Sequence, residues 1–361
     1  MKKLLVIMIS LVMILGLCSC SSGSSPAEPA EPAAPEQTQP GESADKPVVL
    51  RLGSDVASTT PTIEVAQKWA DDVYEKSNGS IKIEIFADSQ LGTGPQEIEG
   101  VRLGSQDIYL NGLSMFSDYD GLEVLKSWNY PTLYKSNDHV RAMMETEYGQ
   151  GCYENFEKLY NLHVIADDWC RTPGCWLTNT PLKTPEDWKG KKFRVVEMRL
   201  QSTVYKYLGV EATPIAWADT YSALQQGIVE GVDGPPTLMF PMSFQECTSI
   251  LTMSRHFYNL VGPVINMDVW NSLSENQRNI LTECAENLAQ FDQELNFGKE
   301  EQQIKELADK GFTVVEMTPE EARALYAPLF TDECIELFEG GTDPMWPEGL
   351  IQKALEIGEQ F

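Results

Sequence analysis

Strand-sized and helix-sized apolar patterns alternate along this chain, and that rhythm confines it to an α/β architecture. Val48–Gly53 alternates apolar with polar residues, and Thr60-Pro61 then opens a helix carrying Ile63, Ala66, Trp69, Ala70 and Val73 on one face. Asn78-Gly79 stops it. Ile81, Ile83 and Ile85 alternate as a second strand; beyond Leu91-Gly92-Thr93-Gly94 a short helix to Leu103 leads into a strand at 107–110. A βαβαβ run predicts a parallel sheet with helices on its faces. The Gly-x-Gly at Gly92 and Gly94 reads as a turn, because the third glycine and the later acid of a dinucleotide site are missing.

The rhythm then repeats. Residues 163–169 are strand-like, Thr184-Pro185-Glu186-Asp187 is a helix start with Thr184 as cap, and 191–196 is another strand. Helices at 200–208 and 220–226 are closed by Gly209 and Gly227. A longer helical stretch over 274–310, apolar at Ile280, Leu281, Leu288, Phe291 and Leu295, is positioned to brace two α/β units.

The N-terminus addresses the chain to the cell exterior. Lys2 and Lys3 precede an apolar run at 4–17 that ends in Leu17-Cys18-Ser19-Cys20, the pattern of a signal peptide (1–19) cleaved before a lipid-bearing Cys20. Residues 20–47 are rich in Ser, Pro, Ala, Glu and Gln, and so form a lipidated, disordered tether. A net charge of −27 excludes a nucleic-acid footprint and requires any anionic ligand to be held by locally placed arginines. Of eight cysteines, six lie beyond the signal end. Cys170 and Cys175 are the nearest pair, open to a disulfide outside the cell, and lack the matching histidines of a zinc site. Neither a metal nor a cofactor is expected.

The segment 184–234 carries the most specific strings: TPEDWKGKKFRVVEM, then TPIAW, then YSALQQGIVEGVDG. With Ser89-Gln90-Leu91-Gly92 and Gly104-Ser105-Gln106-Asp107 upstream and Leu273-Ser274-Glu275 downstream, this order of motifs resembles the DctP-type solute-binding proteins of tripartite ATP-independent periplasmic (TRAP) transporters. The resemblance implies a two-domain periplasmic-binding-protein (Venus-flytrap) fold with hinge strands and a long bracing helix. Its domains are expected at 48–170 plus 259–299 and at 171–258 plus 300–361. It also implies the partners: a small organic acid, and the permease subunits that take it up with a sodium gradient.

In that family the arginine of the Lys-x-Arg-Val strand holds the substrate carboxylate, and it falls on Arg194. A planar guanidinium on a strand can present a donor fork to both carboxylate oxygens. Trp217 occupies the aromatic position that walls the pocket. A second family arginine corresponds to Arg171, with its spacing displaced by about three residues. Where relatives continue Asp-Gly with Gln-Glu-Asn-Pro, this chain has Val232-Asp233-Gly234-Pro235, which leaves Gly234 in place of the usual asparagine. Glu197 and Asp55 turn acid toward the cleft. Asn111, Asp233, Gly234 and Trp169 complete the expected ligand-binding set; Trp128, Trp169 and Trp176 fall in segments that either rim the cleft or pack.

One firm arginine facing acids suggests a ligand with a carboxylate at one end and amino or hydroxyl donors at the other. A simple dicarboxylate would need its second charge neutralised by Arg171 or Arg199. A ligand-presenting sensor is the alternative reading. A surface enzyme is disfavoured: Asp167 and Asp168 are adjacent on a strand and point to opposite faces, and G-x-S-x-G and HExxH strings are missing.

Overall fold

The computed structural model describes residues 45–340 and 344–361, so the signal segment, Cys20 and the tether as far as residue 44 lie outside the described residues. Among those described, the chain lays down two six-stranded sheets and crosses between them three times. Strands β1 (Val48–Gly53), β2 (Ile81–Phe86), β3 (Ile108–Gly112), β4 (Leu162–Val164) and β5 (Trp169–Cys170) belong to the first sheet. The chain then crosses to build β6 (Cys175–Thr178), β7 (Lys192–Val195), β8 (Glu211–Pro214), β9 (Gly231–Gly234) and β10 (Ile250–Met253) in the second. It returns for β11 (Leu260–Asn266) in the first, and passes through the helix Ala289–Asp309 to end the second sheet with β12 (Thr313–Glu316).

The strand orders are β2-β1-β3-β11-β4, with β5 also paired to β11, and β12-β10-β6-β9-β7-β8. The βαβαβ run is parallel as its crossover connections require, β1 pairing in parallel with β2 and β3. The sheets as wholes are mixed. Two strands that enter from the other sheet run the opposite way: β11 is antiparallel to β3, β4 and β5, and β6 is antiparallel to β9 and β10, whereas β12 enters parallel to β10. The strand expected at 163–169 is divided into β4 and β5, and both divisions pair with β11.

The bracing stretch is also divided, into Glu275–Glu286 and Ala289–Asp309. At the break Leu288 N donates to Ala285 O at 3.1 Å in a tighter turn, Leu288 turns into the core, and Trp169 Nε1 donates to the same carbonyl at 2.9 Å. Trp69 meets Trp169 edge to face at 6.0 Å and donates its own Nε1 to Leu281 O at 3.0 Å. Two tryptophans thus seat this helix pair on the first sheet.

Ala289–Asp309 holds both neighbouring crossings with one buried polar stripe, Asp292, Asn296 and Glu300, spaced four residues apart. Asp292 Oδ2 accepts from the Cys170 amide at 2.7 Å, at the start of the first crossing, and Glu300 Oε1 accepts from Arg255 Nη1 at 2.9 Å, on the second. The crossings bond to each other as well: Gly174 N donates to Phe257 O and His256 N to Gly174 O, both at 3.0 Å.

Cys170 and Cys175 are free and buried on successive strands. The C-terminal segment packs across to the first part of the chain, with Trp346 edge-on to Tyr130 at 5.2 Å and Ala354 O bonded to His139 Nε2 at 2.8 Å. At the other terminus, Asn276 Nδ2 donates to Asp45 Oδ2 at 2.7 Å and Gln277 Nε2 to Lys46 O at 2.9 Å, so the tether expected to run to Pro47 is already fixed at Asp45. No helix among the described residues is long and apolar enough to cross a membrane.

The tightest backbone approach lies at Gly262 in β11, where a Cβ would sit 1.9 Å from Ala166 O. Gly262→Ala should destabilise the fold by about 1–3 kcal/mol. A lowered urea midpoint checks this, and an unchanged midpoint would contradict the contact.

Candidate ligand-binding site

Parallel strands carry side chains into the crevice at their carboxyl ends, and four expected site residues stand there. Asp55 follows β1, Asn111 is the penultimate residue of β3, Arg194 is in β7 and Asp233 is in β9. With Arg171 from the first crossing, and with Phe257 and Asn259 from the second, they line a cavity of about 90 Å³. Trp217, Gly234, Gln201 and Met115 complete its wall.

Arg194 is 2 % exposed and Arg171 is 7 % exposed, so both charges sit essentially out of water. Arg194 Nε donates to Ile215 O at 2.9 Å, and its guanidinium carbon lies 5.1 Å from the Trp217 ring centroid. Its Nη1 has no partner. Arg171 Nε reaches Thr62 Oγ1 at 3.4 Å, and its Nη2 likewise has no partner. Burial pulls Arg194 down to about 10, against the charges of Asp233, Glu197 and Asp55, and lowers Arg171 against those of Asp55, Tyr109 and Asp292. Both remain cations at neutral pH.

Two carboxylates oppose them. Asp55 Oδ1 accepts from Asn111 Nδ2 at 2.5 Å and from Tyr109 OH at 3.4 Å; burial raises its pKa, while the Asn111 amide and the Arg171 charge restrain the rise. Asp233 Oδ2 accepts from Tyr205 OH at 3.2 Å and lies 3.5 Å from His256 Nε2, whose Nδ1 faces Ser254 Oγ at 2.8 Å. Asp233 Oδ1 is buried without a partner. The Ser254, His256 and Asp233 string is sealed in the core, 0–2 % exposed, where it orients a carboxylate.

Glu197 is exposed and lines a smaller adjoining recess with Asp55, Arg194 and Trp217. At Gly234 a Cβ would be tightly placed, 3.3 Å from Met239 Cγ and 3.5 Å from Trp217 Cη2. Trp169 is not among the cavity-lining residues: it is fully buried against Trp69 and the helix pair, for the reason given above. Trp128 is also fully buried, and Trp176 donates its Nε1 to Tyr326 OH at 2.8 Å inside an aromatic core, so neither rims the cavity.

Asn129, Asn259 and Gln201 line the cavity although no sequence motif marks them. Glu97 was legible in principle, because it shares the apolar face of Gly94–Arg102 with Ile98 and Val101. It is fully buried near Asp55, neither carboxyl oxygen has a partner within hydrogen-bond distance, and burial together with the Asp55 charge holds it up at about 8, against a pull from the Leu91 amide. It therefore carries a proton at neutral pH.

An acid whose folded pKa is raised from 4.5 to about 8 contributes stability that is complete below the lower value and is lost as pH rises through the upper one. Glu97→Gln should therefore flatten the decline of Tm between about pH 5 and about pH 9 and melt above wild type at the alkaline end. Parallel Tm profiles for the two proteins would show that Glu97 does not cause the decline.

Comparison with known proteins agrees with this architecture. Residues 52–329 match the family model for bacterial extracellular solute-binding protein, family 7, DctP. The C4-dicarboxylate-binding periplasmic protein DctP of Rhodobacter capsulatus is 24% identical, over 81% of this chain and 87% of its own. The sialic acid-binding periplasmic protein SiaP of Vibrio cholerae is 24% identical, over 80% of this chain and 89% of its own. A TRAP periplasmic solute-binding protein from Actinobacillus succinogenes, solved with bound L-galactonate, superimposes with a TM-score of 0.77 at 24% identity, covering 87% of this chain and 100% of that one. These are solute-binding transport proteins and not enzymes, and the chain belongs to their family, the DctP-type extracytoplasmic solute-binding proteins of TRAP transporters.

Proposed function

We propose that this protein captures a small organic carboxylate outside the cytoplasmic membrane and delivers it to TRAP permease subunits for sodium-coupled uptake. The observation that carries the reading is the pair of cavity-lining arginines, each buried and each with an unpartnered nitrogen. A buried charged donor without an acceptor costs about 1–3 kcal/mol or more, so the pocket gains most from a ligand that brings anionic oxygens to both. Relatives named for C4-dicarboxylates and sialic acid take ligands of that chemistry.

Arg194 clamps the carboxylate in this reading, Arg171 supports it, and Trp217 walls the pocket. Asp55 and Asp233 receive donor groups at the far end, hydroxyl or ammonium, with Glu197 at the mouth. The cavity's two cations and two acids make it close to neutral before the solute arrives, so a monocarboxylate fits with less repulsion than a simple dicarboxylate. The lobes that close on the solute are 48–170 plus 259–299 and 171–258 plus 300–361, with the last helices clasping back onto the first lobe through Trp346 and Ala354. Lipid on Cys20 holds the protein at the membrane surface.

A thermal-shift screen of dicarboxylates, sialic acid, sugar acids and zwitterionic amino acids should find acids that raise Tm, since a solute bound to the folded state alone stabilises it. Arg194→Ala should weaken the acid so found by about 100-fold or more while the protein stays folded. Unchanged affinity in that variant would remove Arg194 from its assigned role. For the anchor, Cys20→Ala should move the protein from the membrane fraction to the soluble fraction; continued membrane retention would exclude lipidation at Cys20.

A further inference from the structure

Two asparagines, 130 residues apart in sequence, meet at the Arg171 side of the cavity. Asn129 follows the short helix Val124–Ser127, where its backbone N–H is held by Lys126 O at 3.0 Å. Asn259 closes the second crossing, immediately before β11. Both line the cavity and both are more than nine-tenths buried, at 5% and 8% exposure. A Cβ placed on Gly112 would lie 3.5 Å from Arg171 Nη1 and 3.8 Å from Asn259 Cβ, so the amide pair and the guanidinium share one corner.

Asn259 Nδ2 donates to Asn129 Oδ1 at 3.3 Å. Asn129 Nδ2 and Asn259 Oδ1 are left buried with no protein partner. Turning both amides over exchanges the roles of the two residues and again leaves one donor and one acceptor, so the result does not depend on how the amides are oriented. An unmatched donor and an unmatched acceptor on one bonded amide pair suit one group above others. A hydroxyl donates and accepts at once; an ammonium offers donors alone and opposes the amide N–H; a second carboxylate offers acceptors alone and opposes the amide oxygen; a methylene leaves both unmet.

We infer that the Asn129–Asn259 pair is a hydroxyl-reading subsite, and that the solute is a hydroxy acid with a hydroxyl close to the carboxylate held by the arginines. The inference rests on the carboxylate-capture reading and selects among the ligands that reading leaves open. Asp233 Oδ1, a further buried acceptor of the cavity without a partner, would take a second donor group, hydroxyl or ammonium, and does not itself choose between them. A site that hydrogen-bonds a hydroxyl discriminates against analogues lacking it, because its buried groups are then left unpaired.

The test uses acids matched except for hydroxyls: D-gluconate against hexanoate, and L-malate against succinate, titrated calorimetrically into the full-length protein and into Asn259→Ala. The hydroxylated member of a pair that binds should be favoured by about tenfold or more in the wild type. Asn259→Ala should remove most of that margin. Equal affinities within pairs in the wild type, or equal weakening of both members in Asn259→Ala, would overturn the hydroxyl subsite and leave carboxylate capture standing. Failure of every acid to bind would overturn capture and, with it, this inference. Should Asn259→Ala not fold, Asn129→Ala is read in its place, with the same supporting and overturning results.

Discussion

Two guanidinium groups held out of water in one cavity are the constraint around which this molecule is arranged. Leaving such charges without counter-ions is expensive, and burying fully paired ones would leave nothing for a ligand to satisfy. The chain takes an intermediate course. Ile215 O and Thr62 Oγ1 each hold one arginine nitrogen in place, Asp55 and Asp233 supply charge from the opposing walls, and one nitrogen on each arginine stays unmatched. The acids are restrained in turn, Asp55 by Asn111 and Tyr109, Asp233 by Tyr205 and His256. The cavity is therefore polar and preorganised at once, with the cost of orientation met by the scaffold before any solute enters.

The scaffold makes this possible by moving the chain between two sheets. Arg171 and Asn259 belong to the crossings themselves, so part of the cavity lining is continuous with the segments that join the two sheets. The helix Ala289–Asp309 ties down both crossings from behind, through Asp292 to Cys170 and Glu300 to Arg255. A contact made at the cavity and a contact made at the helix thus act on the same short stretches of backbone.

Local pattern made much of this legible. The period of two in β1 and β2, the glycines after the helices ending near 208 and 226, and the Lys-x-Arg-Val strand each report on their own neighbourhood, and the structure follows them. Arg171, expected with its spacing displaced by about three residues, lines the cavity from a crossing. The misreadings share a cause in tertiary contact. Nothing within 274–310 announces a break at Leu288, where the Ala285 carbonyl also receives the Trp169 indole from more than a hundred residues away. The same indole was expected near the ligand, because an aromatic residue in a short connecting strand looks alike whether it rims a pocket or seats a helix. Asn129 and Asn259 carry no local signal at all; their meaning exists only once the chain has brought them together.

Gly234 ties the room in the pocket to its charge. A Cβ there would meet Met239 Cγ at 3.3 Å and Trp217 Cη2 at 3.5 Å, at a position where the backbone does not require a glycine. A larger residue would press on Trp217, whose ring centroid lies 5.1 Å from the Arg194 guanidinium carbon. Crowding on one strand would thus be felt by the cation on its neighbour, so the space in the cavity and the placement of its charge are linked.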